Sequence, residues 1–186
     1  MGANGVKIYW EAGIMKRAAG ALILLMAFLA VGCSMSTDPT EYDGTVASPL
    51  QVETFDFQYK KIVTELRRLN QMREEALNQL LNGESTKFDA NAVFRYVKEN
   101  AQDLLQQAKE MEAPGHLVKI KEVLVSSFAY YMEGLSDLRE YLDKEKKALL
   151  EEADGNFQEA TRLLDEAREK LEKAKKIAGL KDDKPW

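Results

Sequence analysis

His116 is the only histidine of the 186-residue chain and Cys33 the only cysteine, so few groups can act near neutral pH. A Ser-His-Asp arrangement needs a histidine oriented beside its nucleophile. A structural zinc site needs a set of Cys and His ligands that these two residues cannot supply. Glu112 has helical spacing to His116, but Pro114-Gly115 lies between them and breaks any shared face. Di-iron bundles carry two Glu-x-x-His motifs on different helices, and the chain has none. Carboxylates stand in adjacent positions at Glu74/Glu75, Glu151/Glu152 and Asp182/Asp183. Neighbours i and i+1 on a helix point in different directions, so these pairs are expected on solvated faces. No glycine-rich phosphate loop is present. The chain is therefore expected to be no enzyme, with no catalytic residue, metal ligand or cofactor. His116 is expected in the first turn of a helix, against the preceding loop.

Cys33 has a different context. Lys16 and Arg17 precede an uncharged run, Ala18 to Gly32, of 15 residues. That is a basic n-region followed by an h-region of signal-peptide length, ending in small residues. A bilayer-spanning helix needs about 20 apolar residues, so the run is short for a permanent span. The segment Leu29-Ala30-Val31-Gly32-Cys33 resembles the lipobox of bacterial lipoprotein signal peptides. The resemblance implies cleavage between Gly32 and Cys33, with Cys33 lipidated as the first mature residue. One acyl chain anchors only marginally and stable anchoring takes a second signal, which a diacylglyceryl group with an amide-linked chain provides. The segment preceding Met15 has no periodicity and adds Glu11 ahead of a basic n-region, which is expected to reflect either a true start at Met15 or an overlong n-region.

Cleavage would leave 154 residues, enough for one modest domain. Lys7, Lys16, Arg17 and Glu11 together carry +2, so their loss takes the formal charge from −5 to −7. No basic stripe suited to nucleic acid is present. The acidic balance also assigns membrane attachment to the lipid on Cys33 rather than to charge. No cysteine is left for a disulfide, so the domain must be held by its own core.

Residues Ser34 to Ser48 are small, polar and broken by Pro39 and Gly44, which reads as a flexible tether of roughly 20 Å as a coil. Four helical patterns follow. The first starts at Ser48-Pro49, a good N-cap and first helical position. It carries Phe55, Tyr59, Ile62, Leu66, Leu69, Ala76 and Leu80 on one stripe, with Arg73 among them. Arg73 is expected to snorkel at the stripe's edge. Asn82-Gly83 ends this helix. The second pattern starts near Asp89 as N-cap and places Val93, Val97, Ala101, Leu104, Ala108 and Met111 on its stripe, up to Pro114. The third spans Leu117 to Leu149, with Leu117–Leu135 expected to be the best-buried segment. The fourth follows Asp154-Gly155 and carries Phe157, Ala160, Leu164, Ala167, Leu171, Ala174 and Ala178. Its alanine-rich seam buries less area, so it is expected to be the most weakly held. No stretch alternates as a strand would.

Short connections favour antiparallel neighbours, which predicts an all-α, up-down four-helix bundle. The predicted organisation is a signal peptide over 1–32, lipidated cysteine and tether over 33–48, bundle over 49–180 and frayed tail over 181–186. Gly134 is expected at a close helix crossing among core aromatics.

Three functional classes fit. The first is an extracytoplasmic lipoprotein whose non-catalytic bundle binds an envelope protein or modulates an envelope process. In this reading the mature part is similar to small helical lipoproteins of bacteria, especially Gram-positive ones. It would sit on the outer face of the plasma membrane, or in a Gram-negative cell at the outer membrane, where Ser34 resembles the sorting pattern. The second is a carrier of an apolar ligand or metal inside the bundle, in a groove lined by Tyr59, Tyr96, Phe128 and Tyr131. The third is a homodimer through heptad-like spacing.

Overall fold

The computed structural model describes residues 46–180. Cys33, Gly32, the tether up to residue 45 and the tail over 181–186 lie outside them. Four helices stand among the described residues: α1 Pro49–Leu81, α2 Lys87–Glu110, α3 Leu117–Lys144 and α4 Lys147–Ile177. α1 begins as its sequence dictates. The Ser48 hydroxyl accepts the Gln51 N–H at 3.4 Å, and Gln51 Oε1 accepts the Ser48 N–H at 2.8 Å, with Pro49 at the first position. Both orphan donors of the first turn are satisfied reciprocally.

α2 begins earlier than its sequence suggested. Thr86, not Asp89, is the N-cap, and Asp89 occupies the third helical position as the acidic member of a capping box. Its carboxylate accepts from the Thr86 hydroxyl at 2.6 Å, which holds the Asp89 carboxyl below the usual range. The shift in start exposes a second omission. Phe94 is fully buried and Val93 only partly so, because the buried stripe runs Ala90, Phe94, Val97, Ala101, Leu104, Ala108.

The largest correction concerns the boundary of α3 and α4. α3 stops at Lys144, and Leu149 belongs to α4. The chain turns at Glu145, which adopts a left-handed conformation (φ 52°), and its N–H donates to the Tyr141 carbonyl at 2.8 Å. Gly155 lies inside α4, and a Cβ there would meet nothing within 4 Å. A glycine inside a helix costs about 1 kcal/mol relative to alanine. That cost is outweighed by the continuous buried stripe Leu149, Ala153, Phe157 and Ala160, which runs straight across it. The clue in the sequence was the polar stretch Asp143–Lys147, where a continuing stripe would need an apolar residue near position 145 or 146.

Each helix packs antiparallel on its neighbours, in the cyclic order α1, α2, α3, α4 and back to α1. The ends are fixed by contacts between distant residues. Lys87, at the start of α2, pairs with Glu145 at the α3–α4 turn. At the opposite end the Ala47 N–H donates to His116 Nδ1 at 3.5 Å. This is the all-α four-helix bundle of the sequence reading. Ala47, assigned there to the tether, is buried in the core. Among the described residues no helix is long and apolar enough to cross a membrane.

α4 is not loosely attached. It packs on α3 more extensively than any other helix pair does, and on α1 more sparsely. Small residues bury less area each but permit the close approach that brings many others into contact. Within Leu117–Leu135 the stripe Leu117, Ile120, Leu124, Phe128, Tyr131 and Leu135 is buried as expected. The second row is mixed: Val123, Val125 and Met132 are half-buried, while Val118 and Tyr130 are exposed.

Candidate functional site

The two seams of α4 differ in kind. Against α3 the contact is close and apolar. A Cβ on Gly134 would lie 2.9 Å from Cε1 and Cζ of Phe157 and 3.1 Å from the Ala153 carbonyl oxygen. Only glycine admits the Phe157 ring there. Tyr131 meets the same ring edge-on, with centroids 5.3 Å apart at 63°.

Against α1 the seam is filled by long polar side chains. The Arg73 guanidinium lies 3.7 Å from the centroid of the Phe157 ring. Its Nε and Nη2 donate to Asn70 Oδ1, and Nη2 also donates to Glu74 Oε1 at 2.9 Å. The expectation that Arg73 snorkels at an edge fails, since it is 7 % exposed. The ring face, an amide and a carboxylate together compensate a buried guanidinium in a way that solvent otherwise would. Burial still pulls its pKa below the ordinary arginine value, with Tyr131 and Glu74 opposing.

Further along the same seam, two turns beyond Phe157 on α4, the Tyr59 hydroxyl donates to the Leu164 carbonyl at 2.9 Å. Burial raises the pKa of this phenol, and that of Tyr131, well above the ordinary value. Both therefore stay protonated. At the end of the seam Asp56 and Lys175 are buried, with Lys175 Nζ 3.7 Å from Asp56 Oδ2. Lys60 approaches the same oxygen at 2.8 Å. Sequence reasoning missed this pair. Lys175 follows Ala174 on the stripe, and nothing in the sequence distinguishes it from the solvated lysines around it.

The four residues expected to line an interior groove do not assemble. Tyr59, Phe128 and Tyr131 are buried, whereas Tyr96 is 43 % exposed on the outer side of α2, because the buried stripe there passes through Phe94 and Val97. The structure does hold an open groove of about 440 Å³, between the end of α2 and the start of α3, lined by none of those four. Its walls are Lys109, Ala113, Val118, Lys121, Glu122, Val125 and Ser126. Lys121 reaches across to donate to the Met111 carbonyl at 2.8 Å, where it caps the C-terminus of α2.

His116 is the N-cap of α3, not a residue of its first turn, and makes no side-chain capping bond. Burial lowers its pKa, and its Nε2 is buried without a partner. Of the carboxylate neighbours, Glu74 and Glu75 turn to different partners, Glu74 accepting from Asn70 and Arg73 and Glu75 from Gln71, while Asp182 and Asp183 lie outside the described residues. Among the described residues no group of three or more His, Cys, Asp or Glu side chains could hold a metal ion. No family model, curated protein or solved structure matches the chain.

Proposed function

We propose that the chain is an extracytoplasmic lipoprotein, anchored through Cys33, whose helical bundle acts by binding another envelope protein rather than by catalysis. The observation that carries this reading is the ordered sequence of Lys16-Arg17, the uncharged run to Gly32, Cys33 and the polar stretch up to Ser48. A run of that length suits cleavage better than a permanent span.

The non-catalytic part of the reading is supported by how the chain uses its reactive groups. His116 receives the Ala47 N–H, Tyr59 is bonded to a carbonyl of α4, and Arg73 is stacked on Phe157. Each serves packing between segments.

The test is metabolic labelling with a radioactive fatty acid, comparing the wild-type protein with Cys33→Ser. Label on the wild type alone, with the variant left unprocessed, supports the anchor. An unlabelled wild-type protein refutes it. Partner binding is tested by capture from detergent-solubilised membranes, where a clean monomer counts against it.

A further inference from the structure

One end of the bundle gathers the start of α1, the α2–α3 connection and the end of α4. The Ala47–His116 hydrogen bond and the Asp56–Lys175 pair fix these segments together. Large apolar side chains are left in the open at this end: Val46 is 67 %, Leu50 71 % and Ile177 65 % exposed. Single exposed apolar residues are ordinary, but these three stand on segments that converge. Val118, also exposed, adds the apolar wall of the neighbouring groove, with Lys109 and Lys121 beside it. Lys173 and Lys176 are exposed around Ile177.

We propose that this end docks on the bilayer that holds the anchor, with Leu50 and Ile177 entering the headgroup boundary and the exposed Lys109 extending to the lipid phosphates. The proposal rests on the Cys33 anchor. Residue 46 is 13 residues from Cys33, so even a fully extended chain keeps this end within about 45 Å of the lipid. A connection that short gives the bilayer a high effective concentration, and weak apolar contacts then suffice. Amphipathic surfaces of this kind bury their apolar side roughly 5–10 Å into the interface. Glu53, Glu110 and Glu112 are exposed at the same end. The electrostatic pull on anionic lipid is thus largely cancelled, and the contact is apolar in origin.

The experiment uses the full lipoprotein purified from membranes and reconstituted into phosphatidylcholine vesicles containing lipid brominated near the headgroup. A fluorescent label is placed at Lys173→Cys or, as a remote control, at Asn91→Cys, which lies about 30 Å further along the bundle by helical rise. With Cys33 acylated, the introduced thiol is the one available for labelling. Quenching at position 173 but not at 91, lost when Leu50→Glu and Ile177→Glu are combined, supports docking. Both sites are exposed, so the fold survives these changes, and co-flotation with vesicles shows that the anchor does too. Equal quenching at 173 and 91, or quenching at 173 indifferent to the double change, overturns the docking while leaving the anchor intact. A wild-type protein that does not co-float refutes the anchor, and the docking with it.

Discussion

The Phe157 ring occupies the space that a Cβ on Gly134 would need, with two ring carbons 2.9 Å from that position. The ring cannot easily yield, because Tyr131 meets its edge and Arg73 lies over it. Gly134→Ala gains about 1 kcal/mol of helix propensity and loses roughly 1–3 kcal/mol to overpacking. The expected outcome is net destabilisation, read as a lower midpoint in urea. Combining it with Phe157→Leu should recover part of the loss, giving a favourable coupling in a double-mutant cycle. Additive effects would show that the two residues do not compete for space.

Gly155 and Glu145 exchange the roles their types suggest. Gly155→Ala should stabilise by about 0.5–1 kcal/mol, since the site is open and the backbone helical. Glu145→Val should destabilise by about 1–2 kcal/mol, because a β-branched side chain tolerates the left-handed turn poorly. Thermal unfolding of the two variants separates them by sign. A stabilised Glu145→Val protein would mean that the turn is not where the structure has it.

Two buried phenols should respond oppositely to loss of their hydroxyls. Tyr59→Phe removes the bond to the Leu164 carbonyl and should cost about 0.5–1.5 kcal/mol. The Tyr131 hydroxyl is buried without a hydrogen-bond partner, so Tyr131→Phe should be neutral or slightly stabilising. Equilibrium denaturation of both variants is the check. An equal loss in the two would remove the assigned distinction.

His116 confers a pH dependence on stability. Burial lowers its pKa in the folded protein below the ordinary histidine value of about 6.5. As pH falls through that value the unfolded chain takes up a proton that the folded chain resists. Stability is therefore fully present above about pH 7 and declines as the pH falls through the ordinary histidine range. With one histidine in the chain, and the shifted carboxylates titrating lower, that window belongs to His116. His116→Asn removes the titrating group and should flatten the window when unfolding is followed at several pH values. An unchanged slope would place the dependence elsewhere.

What was legible in the sequence was local. The stripe from Phe55 to Ala76, the Ser48-Pro49 start, the Asn82-Gly83 stop and the break at Pro114 all stand where residue type and helical period place them. The stripe of α3 from Leu117 to Leu142 was legible for the same reason, and so was the close crossing at Gly134. These features depend on residues within a turn or two of one another.

Tertiary structure decided the rest. Gly155 looked like a stop, yet the stripe Leu149, Ala153, Phe157 and Ala160 finds a buried partner surface on α3, and its burial outweighs the propensity of one glycine. The turn fell instead at Glu145, a residue with no turn preference. Arg73, expected at the edge of its stripe, and Lys175, not singled out at all, are buried because the packing of α1 on α4 lays one over Phe157 and sets the other beside Asp56. Tyr96 separated from Tyr59, Phe128 and Tyr131 because the buried stripe of α2 passes through Phe94 and Val97, which leaves Tyr96 on the outside. A single sequence specifies period and caps, because these are set by neighbouring residues. It does not specify which distant side chain will neutralise a buried charge, because that depends on how the helices are turned against one another.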